Sequence, residues 1–139
     1  MARPQKSRKV NNPPKMQGFK PFGIAFCDTE HIILHFDEYE SIKLVNYDSL
    51  SQDLAAVQME VSRPTLTRIY NNALKKIAQA FTEGKSIIIE GGNFEFGKEW
   101  FKCKKCFRLI EGAENHIKCI GCNQYGTEEL ISLNDFKIE

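Results

Sequence analysis

Between Ser62 and Phe81 the apolar residues Leu66, Ile69, Tyr70, Ala73, Ile77 and Phe81 recur at the three-and-four spacing of a single helical face. Ser62 can cap that helix through its hydroxyl, and Pro64 falls in the first turn, where the missing N–H is not needed. A shorter helix is predicted over Leu50–Met59 with Ser51 as its cap, and Met59 to Ser62 forms the turn between the two. Upstream, the β-branched run in Glu30–Phe36 predicts a strand. Asp37 and Glu40 then open a short helix supplied with Tyr39, Ile42, Leu44 and Val45, which Asn46–Ser49 ends. Beyond the long helix, Gly84 is a natural stop, and Lys85–Glu90 is a strand suited to pair with Ile32–Leu34. Gly91-Gly92-Asn93 predicts a backbone turn; it lacks GxGxxG or a following Lys-Ser/Thr, so no phosphate is assigned to it.

The pattern changes after residue 95. Phe94, Phe96, Trp100 and Phe101 are expected to cover the base of a small C-terminal module or the seam beneath it. Phe107–Ile110 and His116–Ile120 read as its short strands, with Glu128–Leu133 as a third. Cys103-x2-Cys106 and Cys119-x2-Cys122 are separated by twelve residues. Each pair can place two thiolates on adjacent corners of one tetrahedron, so the four predict one structural Zn2+ with no open coordination position. The same sulfur set can hold iron in a rubredoxin-like site. A module this small buries too little apolar surface to fold unaided, whereas structural zinc supplies about 10–16 kcal/mol in small peptides. His116, His31 and His35 are expected to be strand or boundary residues. Lys102, Lys104, Lys105 and Arg108 crowd the first knuckle, as a solvated metal edge or as a contact for nucleic acid or for the polymerase of the transcription machinery.

Composition narrows the class. The 139 residues are 42% hydrophobic and 27% charged, as in globular proteins, with a formal charge of +1 that is unevenly spread. Residues 1–20 carry six Lys or Arg and no acid, while residues 21–50 carry six acids and one Lys. Residues 1–21 therefore read as a basic, Pro-rich flexible arm. The basic start runs into Asn11-Asn-Pro-Pro without an apolar stretch, and no run reaches membrane-spanning length, so a cytoplasmic location is expected, consistent with metal-bound rather than disulfide-bonded cysteines. Cys27, in an apolar stretch, is expected to be buried and inert. No carboxylate pair, triad or open metal site emerges, so an enzyme is not expected.

Two helices joined by so short a turn describe a helix-turn-helix, with small Ala56 at the crossing and Val61, Leu66 and Ile69 anchoring the second helix. Its protruding start would offer Arg63, Thr65, Thr67, Arg68 and Asn71 or Asn72 to a major groove of double-stranded DNA, with Arg3, Lys6, Arg8 and Lys9 of the arm tracking phosphate or entering the minor groove. Glu60 stands in the turn where such motifs prefer Gly, and forcing it to positive φ costs about 1–2 kcal/mol. A slightly remodelled turn is therefore expected.

Met1-Ala-Arg-Pro, Leu50-Ser51, Ser62-Arg63-Pro64-Thr65 and Glu83-Gly84-Lys85 through Gly91-Gly92-Asn93 together resemble the uncharacterised prokaryotic family labelled domain of unknown function 134. The resemblance covers residues 1 to 96 and implies DNA binding through a helix-turn-helix similar to region 4 of sigma factors. The expected class is α+β: an arm at 1–21, a helix-turn-helix domain with a small β element at 22–95, and a zinc-ribbon-like domain at 96–139. The expected function is transcriptional regulation by a DNA-binding protein, acting as a homodimer because one motif makes a small footprint. A protein-interaction adaptor docking through the ribbon, or an iron electron-transfer protein, are the alternatives.

Overall fold

The computed structural model describes residues 7–25, 30–104, 109–112 and 130–134. Arg3, Lys6, Cys27, Lys105, Cys106, Arg108, His116, Cys119 and Cys122, and the strand expected over His116–Ile120, lie outside the described residues. The elements are β1 (Arg8–Val10), β2 (Gly18–Phe19), β3 (His31–Leu34), α1 (Phe36–Ile42), α2 (Gln52–Met59), α3 (Arg63–Glu83), β4 (Ser86–Ile89), β5 (Phe94–Phe96), β6 (Trp100–Cys103), β7 (Leu109–Glu111) and β8 (Leu130–Ser132). A π-helical turn, Lys43–Tyr47, continues α1. The chain is thus α+β.

The predicted partnership of Ile32–Leu34 with the strand after the long helix is present: β3 runs parallel to β4, with Ile32 opposite Ile87 and Leu34 opposite Ile89. β2 adds to the other edge of β4 in antiparallel sense, giving the order β2-β4-β3. Gly18 sits there because a Cβ would come within 1.9 Å of the Ile87 carbonyl oxygen. β1 pairs in parallel with β5, and β6 is the centre of a third small sheet, β7-β6-β8.

Residues 8–10 and 18–19 correct the expectation of a flexible arm reaching residue 21. Val10 is fully buried and Arg8 is 9% exposed. A three-residue strand flanked by lysines and prolines carries almost no periodic signal, and its buried arginine counts as polar in any pattern. Val10, Leu34, Phe36, Ala73, Ile89, Phe94 and Phe96 make one apolar cluster, in which the rings of Phe36, Phe94 and Phe96 meet at tilted or edge-on angles. Phe96 joins this core, and Trp100 and Leu133 pack on it, so the boundary expected at 95/96 falls inside β5 and an apolar contact crosses it.

Phe36 begins α1 rather than ending the strand, because the His35 amide donates to Glu38 Oε1 at 2.9 Å and closes the first turn. Asp37 and Glu38, not Asp37 and Glu40, are the first-turn acids. Arg8 Nη1 lies 3.2 Å from Asp37 Oδ2, and Lys76 Nζ lies 2.6 Å from Glu38 Oε1. Burial pushes the Asp37 carboxyl up, against the downward pull of Arg8. Burial likewise raises Glu40, whose fully enclosed carboxylate has the Lys43 ammonium 3.5 Å away.

The glycine turn meets this corner. The Gly91 carbonyl accepts from the Phe36 amide at 3.0 Å, and a Cβ on Gly92, at φ +96°, would stand 2.7 Å from His35 Cβ and 3.0 Å from Asp37 Oδ1. Left-handed strain and overpacking add, so Gly92→Ala should destabilise the fold by about 2–4 kcal/mol. Gly97→Ala, whose Cβ would meet only Lys9 Cε at 3.9 Å, should change stability by less than about 0.5 kcal/mol. Urea unfolding of both variants checks the contrast.

Candidate nucleic-acid interface

Three residues, Glu60, Val61 and Ser62, link α2 to α3. Ser51 Oγ accepts from the Leu54 amide at 3.2 Å and Ser62 Oγ from the Thr65 amide at 3.3 Å, so both predicted caps are made. The turn is not remodelled. Glu60 takes the left-handed conformation, φ 57° and ψ 42°, its amide donating to the Val57 carbonyl while the Val61 amide returns to Ala56 at 3.0 Å. Leu44, Ala55, Ala56, Met59 and Leu66 form a second apolar cluster with Val61 against it, which fixes α3 on α2.

The front of α3 faces solvent. Ser62, Arg63, Pro64, Arg68, Asn71 and Asn72 are exposed, and Thr65 and Thr67 are half-buried. Arg63 Nη1 donates to Asp53 Oδ1 at 2.9 Å, in a pair whose side chains are 53% and 71% exposed. Such a surface pair holds with about 0–1 kcal/mol and yields readily to another anion. Thr65 Oγ1 accepts from Ser62 Oγ at 2.8 Å, and Thr67 Oγ1 donates to Gln52 Oε1 at 2.6 Å. Both threonines are therefore engaged locally, braced against the caps and α2. No acidic residue occupies the first turn of α3 itself; the carboxylate at this end is Asp53, paired with Arg63 from α2. Lys75, two turns beyond Arg68 on the same face, is exposed as well. Sequence reasoning passed over it although the seven-residue spacing from Arg68 carries the signal.

Arg8 does not join this surface. Its guanidinium is committed to Asp37 inside the protein, which corrects its assignment to phosphate. Lys9 is half-buried, with its Cε near Gly97. Phe81, expected at the end of the buried stripe, is 90% exposed, and Ala80 is buried in its place. The stripe turns off there because Gly84, at φ 68°, ends the helix and sends the chain into β4.

At the C-terminal side, β6 and β7 form an antiparallel hairpin with Lys102 opposite Leu109. Cys103 is fully buried at the end of β6, packed with Ile110, Phe101 and Leu130. Lys102 is only 7% exposed, and burial lowers its pKa, so it is not part of a solvated edge, whereas Lys104 is exposed. Among the described residues no helix is long and apolar enough to cross a membrane.

A mixed α+β chain with two capped helices on a small parallel sheet pair is the class defined so far. Residues 1–97 match the family described as "Protein of unknown function DUF134", and the chain belongs to that family. It is 46% identical over 111 residues to a UPF0251 protein of Clostridium acetobutylicum, covering 80% of this chain and 78% of the other. A UPF0251 protein of Halothermothrix orenii is 40% identical over 116 residues, 84% of this chain and 86% of that one. The similarity to a third, from Chloroherpeton thalassium, is 37% over 132 residues and covers 94% of this chain, so it extends into the C-terminal module. No solved structure matches the chain.

Glu60 supplies the test of the turn. A side chain held at positive φ gives back strain on losing its Cβ, so Glu60→Gly should raise stability by about 0.5–1 kcal/mol, visible as a higher melting temperature. Glu60→Val should lower it, because a β-branched residue tolerates that conformation worst.

Proposed function

We propose that the chain binds double-stranded DNA and serves as a transcriptional regulator, with α3 in the major groove. The observation that carries this reading is the solvent-facing front of α3, whose own first turn holds no acid and from which Arg68 and Asn71 project while α2 and the short turn hold the helix in place. Arg68 and Asn71 have the donors that read guanine and adenine edges. Arg63 reaches the same surface by exchanging Asp53 for a phosphate or base. Thr65 and Thr67 act by positioning the cap and the helix pair, and meet phosphate or a thymine methyl only at the groove's edge. Lys9 and Lys75, with Arg3 and Lys6 ahead of β1, add phosphate contacts whose strength falls with salt. Two copies are expected on two half-sites, since one motif contacts few base pairs.

The C-terminal module is proposed to hold one structural Zn2+ through Cys103, Cys106, Cys119 and Cys122. Support comes from the donor chemistry and from the placement of Cys103 where a paired hairpin enters its bend, the usual setting of a sulfur knuckle. The module would contact the transcription machinery, with Lys104 available for acidic surfaces.

Selection from genomic fragments followed by titration tests the DNA reading. Arg68→Ala should cost about 1–3 kcal/mol at the selected site and much less on random duplex, whereas Lys75→Ala should weaken both alike and flatten the salt dependence. Absence of salt-sensitive duplex binding by the intact chain would refute the proposal. For the metal, elemental analysis should give one zinc per chain, lost in Cys106→Ser. Chelation should change the emission of Trp100, the single tryptophan, whose carbonyl and amide are bonded to Leu133 and Asn134, while leaving the helical circular dichroism intact.

A further inference from the structure

A cavity of about 600 Å³ opens between the sheet and the first helix. Its floor is Leu34, Ile87 and Ile89 from β3 and β4, and Ile77 of α3 closes one side. It is a cleft open to solvent, and its volume falls within the range of small-molecule sites. Its chemistry is one-sided. Lys15 and Lys43 line it as cations, and among the described residues no carboxylate does. The carboxylate nearest Lys43, Glu40, is enclosed on the helix 3.5 Å from the ammonium and lies off the lining.

The wall that carries Lys43 is the π-helical turn. Lys43 and Tyr47, four residues apart on it, both line the cavity, and the Asp48 amide closes the turn by donating to the Lys43 carbonyl at 2.8 Å. Single π turns inserted in helices recur at functional sites. Tyr47 is 83% exposed and Phe19, on β2, is 63% exposed, so two aromatic rings flank the opening instead of filling it. An apolar interior, aromatic flanks, the Lys15 ammonium and a Lys43 ammonium shared with Glu40 select an apolar molecule with one negative end.

The geometry points to a binding site for an amphipathic organic monoanion, a monocarboxylate with an aliphatic or aromatic body, seated on Ile77 and Ile87 with its charge toward Lys15 and Lys43. The site does not depend on whether α3 engages DNA. It is tested by calorimetric titration of the full-length chain with decanoate, and with decanol as the uncharged counterpart. One decanoate should bind per chain, saturably and about fivefold or more tighter than decanol. Ile77→Trp, which fills the cavity, should weaken decanoate about tenfold or more, and Lys15→Gln, which leaves the Lys43–Glu40 pair intact, should narrow the difference between decanoate and decanol about threefold or more. Phe81→Ser and Phe22→Ser, at exposed apolar residues that do not line the cavity, should leave binding unchanged. If Ile77→Trp fails to fold, the Lys15 variant and the decanol comparison decide alone. Non-saturable uptake, loss of binding in Phe81→Ser, or equal affinity for decanoate and decanol in the parent chain would overturn the proposal.

Discussion

Two adjacent carboxylates at the start of α1 hold the molecule's parts to one another. Asp37 reaches Arg8 on β1, and Glu38 reaches Lys76 on α3, so a single helical turn ties the N-terminal strand and the longest helix to the same point. Both carboxylates are buried, and removing one partner of such a pair leaves an uncompensated charge that costs about 3–5 kcal/mol. The glycine turn is shaped around this corner, since Gly92 leaves room that any side chain would deny to His35 and Asp37. The π-helical turn and α2 are held separately, by the apolar cluster of Leu44, Ala55, Ala56, Met59 and Leu66.

What could be read from the chain beforehand follows the range of the forces involved. Caps, an early proline, a terminal glycine and a helical apolar stripe are local, and they marked α2 and α3 correctly; the pairing of β3 with β4 was also expected, though not its parallel sense. Phe81 was misjudged because a stripe shows which way residues face but not how far the opposing core extends. β1 was missed because its burial depends on Asp37 and on β5, far away in sequence. The metal-type spacing of the cysteines was plain, yet only Cys103 falls among the described residues. The cavity has no linear signature at all, being a gap between a loop, a helix and two strands.

The proposed reading surface is built with restraint. Its arginine nearest the cap is parked on Asp53, and its two threonines are occupied in holding the helix pair together. Arg68, Asn71, Asn72 and Lys75 carry no such duties among the residues discussed for that face. An arrangement of this kind favours a modest general attraction for nucleic acid, with discrimination resting on a few side chains. The left-handed Glu60 adds a small internal strain at the hinge between the two helices.

The parallel pairing of β1 with β5 joins residues 8–10 to residues 94–96. On the ribosome the α2–α3 hairpin can form as soon as it emerges, but the first strand must wait for nearly a hundred residues of synthesis before its partner exists. Closure of the fold is therefore a late, high-contact-order event, and until then the nascent chain carries the apolar faces of Phe36 and Val10 uncovered.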